Sequence, residues 1–188
     1  MPPKAKITRE MIIDAGFEVA RESGIEQVNA RTVSGRLGCS TQPVMYHFKT
    51  VEEIKKAVYQ KADAYHTAYL MDIHGDNPML EIGLSYIRFA QKEKRLFRLL
   101  FQSDGFSGKS ITDLINAEEL NPILTVLGES AGVDAAQAKT IFRSLFLLVH
   151  GYASMFANNS MEYDENTVMS DLTRAFAGAC YASKELPV

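Results

Sequence analysis

The side chains best suited to recognise the edges of a polar ligand lie close together in the first third of the chain, within residues 29–48, NARTVSGRLGCSTQPVMYHF. Five of them should face outward with donors, acceptors and apolar edges: Thr41, Gln42, Pro43, Tyr46 and His47. A Gln amide can pair with adenine through two hydrogen bonds, and Pro can contact a thymine methyl group. These residue types are compatible with contacts to base edges as well as with an ordinary polar surface.

Two short helices joined by a tight turn must position those side chains. Asn29 is expected to cap a helix from Ala30 to Leu37, and Gly38 to end it with a positive φ. Ser40 is expected to cap the next helix. Three apolar residues can hold the pair together: Val33, Leu37 and Val44. This spacing predicts a helix-turn-helix, whose second helix enters the major groove, although an ordinary α–α corner has the same local pattern.

The rest of the chain has helical rather than strand periodicity. Thr8 and Gly24 are expected to bound a first helix, and a fourth should follow Thr50 and run to about Met71. Further helices are predicted over residues 78–92, 95–102, 110–127, 134–158 and 163–183. Because no run of six or more residues alternates between apolar and polar, the predicted fold class is all-α.

Length and charge restrict the function classes. The 188 residues carry a net charge of −3, yet residues 1–65 hold 10 basic and 8 acidic residues while the remainder holds 10 and 15. That bias is compatible with DNA binding near the start of the chain. The apolar stretch Ser144–Phe156 is too short and too often interrupted to predict a membrane span, and the chain starts without a secretory signal. We therefore expect a cytoplasmic protein with no membrane partner.

Catalytic and metal-binding patterns are missing from the sequence. There is no nucleophile elbow, paired catalytic carboxylate or Gly-rich phosphate loop, so we expect no enzyme and no cofactor. Cys39 and Cys180 have no CxxC or Cys/His partner, which predicts reduced, buried thiols and no zinc. His66 and His74 come closest to a metal pair, but they lie eight residues apart across a helix end. We expect no metal site.

Residues 7–65 resemble the N-terminal domain of the TetR family of bacterial transcriptional repressors. The matching motifs are Ile12–Ala15, Gly24–Ile25, Leu37–Ser40, Tyr46–Thr50 and Glu52–Ile54, similar to the family signature LGVS…YYHFKSKEEL. Met45 stands where the family usually has a first Tyr, and Val51 where a phosphate-binding Lys is common. Ser34 and Gly35 replace the usual Ala-Glu. More weakly, residues 81–101 and Val149–Gly151 resemble motifs of one TetR subgroup.

The resemblance implies a ligand-responsive repressor that binds a palindromic operator in double-stranded DNA as a homodimer. It implies an N-terminal three-helix helix-turn-helix domain over residues 1–52 and a larger helical effector-binding and dimerisation domain over residues 53–188. The DNA-binding residues carried over by position are Lys4, Lys6, Arg31, Thr32, Thr41, Gln42, Pro43, Met45, Tyr46, His47 and Lys49. A helical binding or scaffold module without DNA contact is the alternative.

The second domain is rich in aromatic residues, which either fill its core or line a pocket for a small, largely apolar effector. The candidate pocket residues are Tyr86, Phe89, Phe97, Phe101, Phe142, Phe146 and His150. The last two helices are predicted to form a four-helix dimer interface or, alternatively, to close the core of the monomer. The apolar stripes on which this prediction rests are Ile141, Leu145, Leu148, Tyr152 and Met155 on one helix, and Val168, Leu172, Ala175, Phe176, Ala179 and Cys180 on the other.

Overall fold

The computed structural model of the chain describes residues 7–103, 108, 110–159 and 161–185. Over these residues it contains helices and turns and no strand, which confirms the all-α prediction. The helices are α1 (Arg9–Ser23), α2 (Ala30–Arg36), α3 (Thr41–His47), α4 (Val51–Met71), α5 (Pro78–Lys92), α6 (Lys94–Phe101), α7 (Ile111–Ile115), α8 (Asn121–Ala131), α9 (Ala135–Asn158) and α10 (Glu165–Glu185). Single 3-10 turns cover Ile25–Gln27 and Glu118–Leu120.

The helix ends near the start of the chain lie where the capping residues predict them. The Thr8 hydroxyl accepts a hydrogen bond from the backbone N–H of Met11 at 3.2 Å. Gly24 and Gly38 follow α1 and α2 with φ of 96° and 63°, a region that glycine enters without steric cost. Ser40 occupies the N-cap position of α3, but its side chain makes no capping hydrogen bond.

The single helix predicted over residues 110–127 is wrong. The structure ends α7 at Ile115, places a 3-10 turn after it, and begins α8 at Asn121. Pro122 lies at the first turn of α8. Since proline has no N–H and its ring clashes with the preceding helical turn, it is tolerated at a helix start and not in a helix interior.

The chain forms two compact units, each with its own core. Of the described residues, 7–68 and 93–103 belong to the first unit, and 69–92, 108, 110–159 and 161–185 belong to the second. The first unit therefore contains α1, α2, α3, most of α4, and α6. This grouping differs from the predicted boundary after residue 52, because α4 and α6 share the first unit with the helix-turn-helix.

Helices α1 and α4 approach closely in the first unit at Gly16. A Cβ atom added at Gly16 would lie 2.8 Å from Cγ2 of Val58, so glycine is what lets the two helices approach here. Glu93, buried at the start of α6, accepts two hydrogen bonds from the guanidinium of Arg21 on α1. Removing Arg21 would leave a buried carboxylate without that partner, so the pair fixes α6 against α1.

Acid is expected to destabilise the protein through His66. Burial lowers the pKa of this imidazole from 6.5 to about 4, because its charged form is poorly solvated in the first unit. Below pH 6.5 the unfolded chain then binds a proton that the folded chain does not. His66 therefore leaves the free energy of unfolding unchanged above pH 6.5. As the pH falls from 6.5 to 4, it lowers that free energy progressively.

Between pH 7 and pH 5 this difference should lower the free energy of unfolding by about 2 kcal/mol. Urea denaturation of the wild type, His66→Phe and His74→Gln at both pH values measures it. His74→Gln is the control, since this histidine is exposed. The His66→Phe variant should lose less stability on acidification than either other protein. Equal losses in all three would exclude His66 as the source.

The second unit is built around α9, which packs against α5, α8 and α10. One part of its core joins Ile115, Leu124, Leu127, Ala138, Ile141 and Phe142. Helix α9 has 24 residues and is predominantly apolar. By length and composition alone this longer helix could cross a membrane. Core helices of soluble proteins can have the same length and composition.

Candidate functional site

The helix-turn-helix is held together by side chains that are inaccessible to solvent. Val33 on α2 and Val44 on α3 are both completely buried, while Leu37 is half-buried. The backbone N–H of Cys39 donates to the carbonyl of Ser34 at 3.0 Å, which closes the turn around Gly38. The two cysteine thiols are free and only half-buried, so the prediction of buried thiols is wrong.

The opposite side of α3 is open to solvent. Thr41 and Gln42 in its first turn are exposed, and Pro43 is half-buried. Met45 is 39% exposed and Tyr46 is 84% exposed, although both have large side chains that are usually covered. The helix therefore presents a hydroxyl, an amide, a thioether and a phenol on one side, with Val44 anchoring the other.

His47 differs from the other predicted α3 contacts. Its ring is half-buried, and its Nε2 lies 3.0 Å from the backbone carbonyl of Ile7, just before α1. The ring of Tyr46 meets the His47 ring edge-on, with 5.3 Å between centroids. His47 thus joins two segments of the first unit, a role that sequence spacing could not indicate because its partner lies 40 residues away.

Arg31 and Lys49 flank this surface and are both exposed. Thr32 is different, because its hydroxyl donates to the carbonyl oxygen of Gln27, at the end of the 3-10 turn before α2, at 2.7 Å. The same hydroxyl accepts from the N–H of Asn29, which completes a capping box. The structure therefore gives the Thr32 side chain a structural partner. The predicted contacts Lys4 and Lys6 lie outside the described residues.

Four of the seven predicted pocket residues come together in the second unit. The ring of Phe146 on α9 is the centre of the group. Its centroid lies 6.3 Å from that of Tyr86 on α5, and 5.8 Å and 5.5 Å from those of Phe142 and His150 on α9. The hydroxyl oxygen of Tyr86 lies 2.9 Å from Nδ1 of His150. We call these four residues the aromatic cluster.

Burial fixes the protonation of the polar pair in this cluster. It lowers the pKa of His150 and raises that of Tyr86 well above its usual range. At neutral pH the imidazole is therefore uncharged, and the Tyr86 hydroxyl keeps its proton. A neutral imidazole presents one donor and one acceptor nitrogen, which suits hydrogen bonding to an uncharged polar group.

The other three predicted pocket residues are not part of the cluster. Phe89 pairs with Tyr69 in the second unit, with centroids 5.4 Å apart. Phe97 is completely buried in the first unit, and Phe101 there packs edge-on against His66 at 5.0 Å. Phe97 and Phe101 belong to the first unit, where α6 packs with α1.

The outward sides of α9 and α10 carry exposed apolar side chains. Their exposed apolar side chains include Leu147 (53% exposed) and Tyr181 (69% exposed), along with Met155 and Met169. Gly151 lies one turn after Leu147 and Gly178 lies three residues before Tyr181, and a Cβ atom at either glycine would meet nothing within 4 Å. Met169 lies half a helical turn round α10 from Gly178. We call the other five residues, Leu147, Gly151, Met155, Gly178 and Tyr181, the outer face.

The outer face is offset from the predicted dimer stripes. Ile141, Val168 and Leu172 from those stripes are buried within the second unit, where they close its own core. Met155 is the one residue of the apolar stripes that the outer face retains, and Gly151 and Gly178 are small residues that the sequence also predicts to permit close helix approach. A helix pattern shows which residues share a face, but it does not show which of two apolar faces packs inward.

Among the described residues no group of three or more His, Cys, Asp or Glu side chains could hold a metal ion. Acidic and basic side chains on this part of the chain form structural ion pairs, such as that of Arg88 with Glu165 between α5 and α10. The candidate functional sites among the described residues are therefore α3, the aromatic cluster and the outer face.

Comparison with known proteins identifies the family. A model of the tetracyclin repressor-like C-terminal domain matches residues 79–177, which is more than half of the chain. The chain belongs to the TetR family. It is therefore a member of a family of transcriptional regulators.

Relatives of this TetR-family chain are distant but match over most of its length. An uncharacterised HTH-type transcriptional regulator of Bacillus subtilis (strain 168), YobS, is 23% identical over 181 residues, covering 90% of each chain. The multidrug binding protein EbrR, solved with imidazole, superposes with a TM-score of 0.51 at 21% identity, over 89% of this chain and 88% of that one. SmeT, the repressor of a Stenotrophomonas maltophilia multidrug efflux pump, has a TM-score of 0.48 at 19% identity, over 95% and 89%.

Proposed function

We propose that this TetR-family regulator is a cytoplasmic, ligand-responsive repressor that reads a palindromic operator as a homodimer. The observation that carries the proposal is the exposed side of α3, where Thr41, Gln42, Met45 and Tyr46 face solvent above a buried Val44. A scaffold protein would have no need to keep four such side chains uncovered on a two-turn helix.

Each exposed group suits a different part of a DNA duplex. Gln42 can make a bidentate pair with adenine, and Met45 can contact the methyl group of thymine. Thr41 and Tyr46 can donate to phosphate or to a base edge, and Arg31 and Lys49 supply charge for the backbone. Phosphate contacts fix the register, whereas the α3 contacts provide the sequence preference.

The outer face supports assembly with a second copy of this chain. Glycine within a helix costs about 1 kcal/mol relative to alanine, and neither Gly151 nor Gly178 is required by a contact inside the unit. Such positions let two helices approach closely, and the flanking Leu147, Met155 and Tyr181 would be covered by the approach. A two-fold dimer through α9 and α10 places the same face on both chains.

A two-fold dimer also explains why the operator should be palindromic. Two recognition helices related by a two-fold axis read two inverted half-sites, separated by about one turn of DNA. An effector that changes this separation weakens DNA binding. By thermodynamic linkage, the operator weakens effector binding by the same factor.

The aromatic cluster is the proposed effector site, and its chemistry favours a small, largely apolar ring with one uncharged polar group. Phe142 and Phe146 offer stacking surfaces, and the Tyr86–His150 pair offers a hydrogen-bonding partner at neutral pH. The structural neighbour EbrR is a multidrug binding protein that was solved with imidazole, which is consistent with a site of this kind in a TetR-like fold.

Replacing Phe146 with Ala should weaken the binding of an effector without affecting the binding of the operator. With 4-phenylimidazole as the probe, we expect at least a tenfold higher concentration to be needed to release the operator, because a stacking partner is lost. Fluorescence anisotropy of a labelled operator measures the release. Tyr69→Phe is a suitable control, since Tyr69 lies outside the cluster. Unchanged release by the probe in the Phe146 variant would place the effector elsewhere.

Selection of random duplex DNA by the purified protein at moderate salt tests the function as a whole. The proposal predicts enrichment of one inverted repeat, and the alternative of a scaffold without DNA contact predicts none. Circular dichroism establishes that the protein used is folded. Because an effector can abolish binding, the selection is made with protein refolded from denaturant and dialysed free of small molecules. No enriched sequence from such protein would contradict the proposal.

A further inference from the structure

A groove that is open to solvent lies between α1 and α4 in the first unit. Its volume of about 570 Å³ is within the range of small-molecule sites. The lining residues on each helix have the three- and four-residue spacing that places side chains on one face. They include Asp14, Phe17, Glu18 and Arg21 on α1 and Lys61 and Tyr65 on α4. All of them belong to the first unit, so the groove is separate from the aromatic cluster.

Two aromatic rings line the groove, and a cation of the protein itself lies over each of them. The rings of Phe17 and Tyr65 meet edge to face, with 5.4 Å between their centroids. Nζ of Lys61 lies 5.6 Å from the centroid of Phe17, and the guanidinium carbon of Arg21 lies 5.7 Å from that of Tyr65. Since the face of an aromatic ring is electron-rich, it attracts cations at such distances. The ring surfaces of the groove therefore suit positively charged groups.

The two cations are held to different degrees. Arg21 donates two hydrogen bonds to the buried carboxylate of Glu93, which would be left without that partner if the guanidinium moved away. Lys61 instead pairs with Asp14 at 2.7 Å, and these two side chains are 40% and 62% exposed. An exposed ion pair contributes little to stability, because water solvates both charges well. Lys61 can therefore leave Phe17 for solvent at little cost, whereas Arg21 cannot leave its place.

We propose that this groove binds a small aromatic organic cation, which takes the place of the Lys61 ammonium group over Phe17. Asp14 and Glu18 lie one turn apart on α1 and supply the carboxylates that pair with the ligand. Because Glu93 balances Arg21, displacement of Lys61 leaves two uncompensated negative charges at the groove. A cation neutralises part of this charge, while an anion of the same shape is repelled. This inference is independent of the proposed function, since it requires neither DNA nor the aromatic cluster.

Three probes with the same ring and different charge test the ligand class. These are 4-aminobenzamidine, which is a cation at neutral pH, the uncharged 4-aminobenzamide, and the anion 4-aminobenzoate. Isothermal titration calorimetry with the full chain measures each affinity. We expect saturable binding of the cation at millimolar concentration or below, at least about tenfold tighter than that of the amide, because hydrogen bonds between charged groups are the stronger ones. We expect no binding of the anion.

Removal of Lys61 should strengthen binding of the cation, which damage to the fold would not do. In Lys61→Ala the competing ammonium is absent, so the Kd of 4-aminobenzamidine should fall about threefold or more. The matched control is Lys55→Ala, because Lys55 is also half-buried on α4 and its loss changes the net charge equally. This control should bind the probe as the wild type does.

The carboxylate is tested with Lys61 already removed, so that the freed ammonium does not affect the result. Adding Asp14→Asn to Lys61→Ala should raise the Kd of 4-aminobenzamidine about fivefold, which is the upper range for an exposed charge pair. Adding Glu52→Gln instead removes an exposed carboxylate of α4 outside the groove and should leave the Kd unchanged. Thermal denaturation of all variants reports their folding separately from binding.

Binding at the aromatic cluster is the alternative that the experiment must separate from binding in the groove. Phe146→Ala changes that cluster and should leave the affinity for 4-aminobenzamidine as in the wild type. Loss of cation binding in Phe146→Ala, no saturable binding by the wild type, or equal affinity for all three probes would overturn the inference. Unchanged or weaker binding in Lys61→Ala would overturn it as well. The proposed function would survive each of these results, since it depends on Thr41 and Gln42.

Discussion

Replacing Gln42 with Ala is expected to lower affinity for the selected operator at least about 30-fold. The side chain is exposed in the first turn of α3, where it can reach a base edge. One bidentate contact to adenine contributes about 1–3 kcal/mol of discrimination, and a two-fold dimer makes the contact twice. The combined loss is therefore about 2 kcal/mol or more. Binding to unrelated DNA, which depends on phosphate contacts, should change little.

The matched control for Gln42→Ala is Gln60→Ala. Gln60 is also exposed and also belongs to the first unit, but it lies on α4. Fluorescence anisotropy with operator and scrambled duplexes gives both affinities, and thermal denaturation gives the stability of each variant. If Gln42→Ala bound the operator as tightly as Gln60→Ala, the proposed role of this side chain in base recognition would be wrong.

Replacing Leu147 with Glu should convert the protein from dimer to monomer. Leu147 is 53% exposed on α9, next to Gly151 on the outer face. In the proposed dimer the substitution buries two carboxylates without partners in an apolar interface, which costs several kcal/mol. At micromolar protein concentration this is enough to dissociate an interface of moderate affinity.

Analytical ultracentrifugation of Leu147→Glu beside Ile111→Glu measures this effect. Ile111 on α7 is 41% exposed, so the control introduces the same charge at a similar degree of exposure away from the outer face. We expect a monomer for the first variant and a dimer for the second, with operator affinity lost in parallel with dimerisation. A dimeric Leu147→Glu protein would show that the chains associate through another surface.

Local capping chemistry made the start of the fold predictable from sequence. Thr8, Asn29 and Gly38 act over two to four residues, so their identity and spacing determine where α1 and α2 begin and end. The helix-turn-helix follows from those ends and from the apolar pair Val33 and Val44. The same locality explains the exposed α3 residues, because one side of a short helix must face away from its anchor.

Features that depend on partners distant in sequence could not be predicted in this way. The bond from His47 to Ile7 crosses 40 residues, and the one from Arg21 to Glu93 crosses 72. Phe97 and Phe101 have the same residue type and spacing as pocket residues, but α6 packs them with the first unit. For α9, the sequence shows an apolar stripe, and only tertiary packing shows that Ile141 points inward and that Leu147 points outward.

The central claim is that side chains of α3 read the bases of an inverted repeat. Parallel selection of random duplexes by the wild type and by Gln42→Ala tests it most directly, because the retained sequences report on each base pair separately. We predict that the variant loses sequence preference at one position in each half-site, symmetrically, and keeps the rest of the motif. An identical motif from both proteins, or no motif from the wild type, would contradict the account.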